Sequence, residues 1–407
     1  MEEQALKREL YQKVLKTLDI NEEISDEDLL KKIDAVLERE GKSRDLPIFL
    51  RLRFRKAIFA SLRLLDVLSL AMDDEEITEI MVNGASRIFV EKNGSVFPYG
   101  DEFMSEEKLS DVVQQIASAV NRRVNEASPM ADARLKDGSR VNIVLPPIAV
   151  DGPAVTIRRF PKETVSMGKL CAYGSLTEEA AAFLEVLVKS GYNIFISGGT
   201  GAGKTTFLGA LSEYIPEQER VITIEDSAEL RLRNVKNLVR LESRPPNLEG
   251  EYEVTIRDLI RNALRMRPDR IIVGEVRGAE TVDLLQALNT GHSGSMSTGH
   301  ANSAWDMISR LEMMVLMGMD IPMQAVRQQI ASGLDILVHL SRLRDKSRRV
   351  MGIYELTGIE GNEIRLVPLF EFKEEGEKDG KVIGRLVKSE YQLSRKEKLL
   401  RYGLQDI

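Results

Sequence analysis

Between Ser25 and Glu40 apolar residues fall at Leu29, Leu30, Ile33, Val36 and Leu37, a spacing that predicts an amphipathic helix begun by the capping pair Ser25 and Asp28. After Gly41 and Pro47 a second helical run extends from Leu50 to Leu70, with Arg51, Arg53, Arg55 and Lys56 clustered ahead of its apolar half. That cluster reads as a solvated helix face, with contact to a membrane surface or partner as the alternative. The period then changes. Ile77-Thr78-Glu79-Ile80-Met81-Val82 alternates as a strand does and ends in Asn83-Gly84, a turn signal, and Arg87 to Glu91 reads as its neighbour. A second turn, Asp137-Gly138, is flanked by Ala133 to Leu135 and Arg140 to Leu145, and Val155 to Phe160 adds a short strand. These runs predict a helical module over 1–70 and an α+β domain over 71–162. The stretch Pro161 to Gly174, with Lys162, Ser166 and Gly168, reads as a linker, bounded at 163–176.

Beyond it Thr177 caps a helix with Phe183, Leu184, Leu187 and Val188 on one face, and Tyr192 to Ser197 follows as a buried strand. A glycine-rich loop and another helix come next, the order that a parallel α/β sheet requires. Apolar runs at Val221 to Ile224, Arg270 to Val273 and Ile336 to Leu340 supply further strands, and Arg349 to Leu356 and Glu363 to Phe370 supply short ones near the end. The charged segment Glu371 to Lys381 reads as a surface turn or loop. Residues 177–407 therefore form one α/β domain.

Gly198-Gly199-Thr200-Gly201-Ala202-Gly203-Lys204-Thr205 fits G-x-x-x-x-G-K-[ST] between a strand and a helix beginning near Lys204. Glycines let the backbone wrap phosphate, whose charge the loop amides and the helix N-terminus meet. Lys204 is placed to bridge the outer phosphates and Thr205 to ligate Mg²⁺, with Thr206 completing the nucleotide-binding run. Glu275 ends the Arg270 to Gly274 run and is the candidate to act on the attacking water, since phosphoryl transfer needs positioning more than covalent chemistry. Glu225, Asp226 and Glu229 follow another strand and can share the work of orienting water and holding hydrated Mg²⁺. Of three histidines, His292 and His300 lie within Thr290 to Asn302, among small residues that permit close approach to a γ-phosphate, as a nucleotide sensor needs. His339, in an apolar run, reads as structural.

Composition narrows the class. A 407-residue chain with 43% hydrophobic and 30% charged residues fits a multi-domain globular protein. A net charge of -7 argues against a general nucleic-acid coat. The one cysteine, Cys171, excludes an internal disulfide and a cysteine-rich zinc site, which suits a reducing, cytoplasmic setting. The acidic start Met1-Glu2-Glu3-Gln4 lacks signal-peptide order and no apolar run reaches spanning length, so membrane association is expected to be peripheral.

Taken in order, these motifs resemble the secretion ATPase superfamily that powers type II secretion, type IV pili and type IV secretion. The likeness is strongest to the Tad (tight adherence, Flp-pilus) assembly ATPases of the CpaF/TadA type. It rests on Glu79 to Gly84, Asp132-Ala133-Arg134-Leu135-Lys136-Asp137-Gly138-Ser139-Arg140-Val141-Asn142, Thr156-Ile157-Arg158-Arg159-Phe160 and Arg265 to Arg270, and covers roughly residues 70 to 370. The resemblance implies a RecA-like P-loop ATPase domain behind an α+β N-terminal domain and a helical extension, binding ATP and Mg²⁺. It identifies Ile224 to Glu229 as the Asp box, Ile271 to Glu275 as Walker B and Thr290 to Asn302 as the His box, with Glu229 and Glu275 as the working acids and Lys204 as the catalytic lysine.

It further implies a homohexamer, an integral inner-membrane platform protein as partner, no nucleic acid, and N-terminal-domain arginines approaching the nucleotide. Arg134, Arg140, Arg158 and Arg159 are the candidates, since the guanidinium fork pairs with phosphate and stays charged. Type II relatives often carry a four-cysteine zinc insertion, which the single Cys171 rules out and which favours the Tad-like branch. The rivals are the ATPase of a type IV secretion system exporting DNA or effectors, a helicase-like motor, and a non-hydrolysing nucleotide-gated scaffold.

Overall fold

The computed structural model describes residues 2–19, 24–92, 94–120, 122–135, 137–159, 164–246 and 251–403. Lys136, Phe160, Pro161, Lys162 and the expected 162/163 boundary lie outside them. The chain forms two compact units, residues 1–162 and 163–407.

The first unit opens with four helices, α1 (Glu2–Leu15), α2 (Asp26–Arg44), α3 (Ile48–Arg63) and α4 (Val67–Asp73). Ser25 caps α2 by accepting from the Asp28 amide, and Leu29, Ile33, Val36 and Leu37 are buried against Leu10, Val14, Phe54 and Ile58. The run expected from Leu50 to Leu70 is broken in two. Asp66 takes φ +52°, its amide reaches back to Ala60 and its buried carboxylate accepts from Ser61 Oγ at 3.1 Å, which stops α3 before α4 begins. The basic cluster is engaged inside the unit: Arg53 pairs with Glu3 and Asp101, Arg55 with Asp34, and Arg51 donates to the Leu46 carbonyl.

The rest of the unit comprises β1 (Ile77–Asn83), β2 (Ile88–Lys92), β3 (Ser95–Pro98), α5 (Glu106–Ala119), β4 (Met130–Arg134), β5 (Arg140–Val144) and β6 (Ala154–Arg158). The strands form an antiparallel sheet in the order β3-β2-β1-β6-β5-β4. Leu109, Val112, Val113 and Ile116 of α5, at helical spacing, pack on Ile80, Val82, Val141 and Ile157 of the sheet.

The second unit begins with α6 (Met167–Ala172) and α7 (Glu178–Lys189). A linker was expected over 163–176, yet Met167 and Leu170 of α6 are buried in this unit's core. There follow β7 (Ile194–Gly198), α8 (Lys204–Ser212), β8 (Arg220–Glu225), β9 (Asn237–Glu242), α9 (Ile256–Ala263), β10 (Arg270–Val273), α10 (Glu280–Asn289) and β11 (Met296–Gly299). The unit ends with α11 (Ala304–Gly318), α12 (Met323–Gly333), β12 (Ile336–Arg342), β13 (Arg348–Glu360), β14 (Glu363–Lys378), β15 (Lys381–Lys388) and α13 (Glu397–Arg401).

Its sheet runs β15-β14-β13-β12-β7-β11-β10-β8-β9, parallel from β12 to β9 and antiparallel from β12 to β15. Alternation along β7 sends Ile194 and Ile196 to the core under α7 and α8, and Phe195 to the opposite core with Leu285, Leu311 and Leu337. The charged segment 371–381 is a hairpin and not a loop. β14 continues to Lys378 and turns back into β15, with Val382 and Leu386 buried while Arg344 pairs with Glu374 and Glu377.

Candidate functional site

Parallel strands present their carboxyl ends along one edge of a sheet, the usual place for ligands in α/β folds. The P-loop stands there at the end of β7, every residue of which is buried. A Cβ on Gly198 would lie 2.5 Å from the Leu340 carbonyl oxygen, so this position takes glycine for steric reasons. Gly201 and Gly203 hold φ of +73° and +91°, which glycine adopts at little cost. Gly203 is the N-cap of α8 and no side-chain cap bond is made there, which leaves the first amides of the helix to an anion. Thr205 is half-buried and Thr200 and Thr206 are exposed along the same loop and first turn.

Lys204 is only 7% exposed. Its Nζ donates to the carbonyls of Gly198 at 3.0 Å and Gly199 at 3.3 Å and lies 3.1 Å from His300 Nδ1. His300 follows β11, which pairs with β7 so that Gly299 faces Ser197, and this register carries the imidazole to the lysine. Burial lowers the His300 pKa, and the nearby Lys204 and Arg277 lower it further against the opposing pull of Glu275. The ring is therefore neutral at neutral pH and can accept from Lys204.

His300 Nε2, itself 3.5 Å from Lys204 Nζ, comes within 3.0 Å of Glu275 Oε1. That oxygen is buried and, despite this approach, has no aligned hydrogen-bond partner. Arg277 lies against both Glu275 oxygens, 3.3 Å from Oε2 and 3.2 Å from Oε1, and also 3.3 Å from Asp226 Oδ2. Sequence reasoning missed Arg277, although a basic residue two positions beyond the strand-ending acid was visible. Asp226 accepts in addition from Ser243 Oγ at 3.2 Å.

Glu225, at the end of β8, is 4% exposed. Its Oε2 accepts from the amides of Glu229 at 2.9 Å and Leu230 at 3.0 Å, which fixes the loop that carries Asp226 and Glu229. Burial pushes its pKa up to about 7, against the pull of those two amides. Gly274 makes room for it: a Cβ there would lie 2.8 Å from Glu225 Cγ. Glu229 itself is half-buried and joins the cluster through its amide.

Two groups of predicted residues lie elsewhere. His292 precedes β11, with Nδ1 3.2 Å from the Ala287 carbonyl, so the strand separates it from His300 at the carboxyl edge. Arg134, Arg140 and Arg158 are directly paired positions on β4, β5 and β6, three arginines in a row on one face of the first unit's sheet. The row continues to Glu79 on β1. Arg159 is bound locally, donating to the carbonyls of Asp74 and Ile77. His339 is buried with Nδ1 2.8 Å from Ser197 Oγ, beneath the P-loop.

The pattern of the family described as type II/IV secretion system protein matches residues 66–383, which take in the P-loop, Glu275 and His300. The chain belongs to this family. A Mycobacterium tuberculosis relative, provisionally described as a conjugal transfer protein, is 36% identical over 317 residues, covering 75% of this chain and 90% of the relative. The conjugal transfer protein TrbB of Rhizobium radiobacter is 33% identical over 302 residues, covering 73% and 89%. The pilus retraction motor PilT with bound ADP superposes with a TM-score of 0.50 at 21% identity, covering 83% of this chain and 86% of PilT. The fold of this chain is thus a RecA-like P-loop domain that follows, along the sequence, an α+β domain with N-terminal helices.

Proposed function

We propose that this chain is an Mg-ATP-hydrolysing, hexameric motor that powers assembly of Tad/Flp-type pili or secretion across the cytoplasmic membrane. The observation that carries the reading is the contact series Lys204, His300 and Glu275 beside the uncapped start of α8. In this reading the amides of Gly201, Gly203 and Lys204 receive phosphate, and Lys204 exchanges its bonds to Gly198 and Gly199 for the outer phosphate oxygens. Glu275, whose Oε1 is buried without an aligned hydrogen bond, orients the attacking water while Arg277, close to both of its oxygens, steadies the carboxylate. Neutral His300 reports the state of the γ-phosphate through Lys204, and β11 links it to His292.

Among the described residues no group of three His, Cys, Asp or Glu side chains is arranged to hold a metal ion. Mg²⁺ bound with nucleotide takes most of its ligands from phosphate and water, so a hydroxyl and one carboxylate from the protein suffice. Thr205, with Glu229 through water, would hold it there, and the ion would supply charge neutralisation on the phosphates. Arg134, Arg140 and Arg158 form the row suited to a neighbouring negative charge, whereas Arg159 is spent on backbone carbonyls. Among the described residues no helix is long and apolar enough to cross a membrane. In this reading the motor works from the cytoplasmic face on an integral inner-membrane platform protein, with no nucleic acid required.

A second reading, the ATPase of a type IV or conjugative exporter, is favoured by the names of the M. tuberculosis protein and TrbB. Small pilin and platform genes beside this one support the first reading, and a conjugation set supports the second. The deciding experiment for the activity is steady-state phosphate release with Mg-ATP, beside Lys204→Ala and Glu275→Gln, with light scattering for assembly. Turnover in a six-fold assembly, abolished by both substitutions, is expected. A hexamer that binds ATP but turns over no faster than the variants, even with membranes, would leave a nucleotide-gated scaffold in its place.

A further inference from the structure

Two arginines that no motif singles out stand against the P-loop. β12 and β13 form an antiparallel hairpin in which Arg342 and Arg348 are directly opposed. Like charges directly opposite each other destabilise a strand pair. The hairpin lies over the loop that the family motif defines: Arg348 Nε donates to the Gly201 carbonyl at 2.9 Å. A Cβ on Gly203 would sit 3.2 Å from Arg348 Cδ, and one on Gly201 would sit 3.8 Å from Arg342 Nη1. Both guanidinium groups therefore border the two glycines that shape the phosphate cradle.

Arg344 is paired with Glu374 and Glu377 at 2.7 and 2.8 Å, and Arg349 donates to the Gly174 carbonyl. The turn's carboxylate, Asp345, accepts from Ser347 and from the Val382 amide at 2.9 Å. A guanidinium carries five donors, and the bond from Arg348 to Gly201 uses one.

We infer that Arg342 and Arg348 form a cationic wall of the nucleotide site and hydrogen-bond the phosphates of the bound nucleotide from the hairpin side. The inference rests on the reading of the P-loop as a nucleotide site. It adds to Lys204 and the α8 amides a second set of charged donors within the same unit. Both residues bind ligand and take no part in bond breaking.

The test is fluorescence titration of the full chain with mant-ADP at low and moderate salt, using wild type, Arg342→Gln, Arg348→Gln, the double variant and Lys204→Ala. Each single change is expected to raise Kd about tenfold, the loss of one charge-assisted bond, and the double variant to flatten the salt dependence. Thermal unfolding without nucleotide should match wild type, and if the double variant unfolds, Arg342→Lys with Arg348→Lys should keep the salt dependence with weaker binding. Wild-type affinity within twofold in the double variant, while Lys204→Ala fails to bind, overturns the wall and leaves the nucleotide reading intact. A wild-type chain that binds no mant-ADP overturns that reading and the wall with it.

Discussion

His300 Nε2 lies 3.0 Å from Glu275 Oε1 while Nδ1 of the same ring lies 3.1 Å from the amine of Lys204. One imidazole thus touches both the cation and the acid that a P-loop site would use, from a strand adjacent to each of theirs.

The position of His300 makes a pH prediction. Its pKa is lowered, chiefly by burial, so the neutral ring persists below the ordinary imidazole range and is lost only as pH falls through the lowered value. Protonation there would set a second cation against Lys204. The acid limb of ATP turnover is therefore expected below about pH 6.5, and His300→Asn should remove that limb while lowering kcat. A pH–rate profile with an unchanged acid limb in the variant would sink the assignment.

Arg277 holds Glu275 and approaches Asp226, so its loss should be felt in turnover before binding. Arg277→Ala is expected to lower kcat by about tenfold with the mant-ADP Kd within a few-fold of wild type. Parallel loss of both would mean that the residue only maintains the fold.

Glu225 should make stability depend on pH in the alkaline direction. Its folded pKa is raised to about 7, so the contribution of the neutral acid is complete below its unfolded value and is lost as pH rises through 7. Glu225→Gln keeps an acceptor for the Glu229 and Leu230 amides and cannot ionise. The variant is expected to gain on wild type between pH 5 and pH 8, on the order of 3 kcal/mol at most, measured by urea unfolding at the two pH values. An equal difference at both would contradict the buried-acid account.

Arg270 is 1% exposed and forked onto Glu219, with further bonds to the carbonyls of Val188 at 2.7 Å and Gly294 at 3.4 Å. Removing the carboxylate strands a buried cation. Glu219→Ala should cost about 3–5 kcal/mol, whereas replacing an exposed acid such as Glu217 should cost less than about 1 kcal/mol. Differential scanning calorimetry of the two variants separates these cases.

The P-loop was legible because its chemistry leaves few choices. Glycines at fixed positions, a lysine and a hydroxyl between strand and helix admit one arrangement, and β7 and α8 fall where the pattern put them. The strand ends ahead of Glu275 and ahead of Asp226 were legible for a related reason, since each closes an apolar run. Misreadings arose where pairing or a local hydrogen bond overrides composition. The hairpin over 371–381 looked like a loop because its charges point outward on an edge that only β-pairing reveals. The helix break at Asp66 depends on a bond to Ser61 that periodicity does not encode. His292 and His300 seemed a pair in sequence, yet the four residues of β11 set them at opposite ends of a strand. Arg277, Arg342 and Arg348 carry no motif, and their proximity to the site comes from strand register.

Gly274 and Glu225 also bear on how this protein can change over time. Because a Cβ at position 274 would stand 2.8 Å from Glu225 Cγ, position 274 is not free to drift while Glu225 stays. A lineage that acquires alanine at 274 must first shorten the residue at 225, and that step releases the loop bearing Asp226 and Glu229. The two sites form a ratchet in sequence space: sequences that retain the long buried acid should retain the glycine, and those that have lost one should show a rebuilt loop.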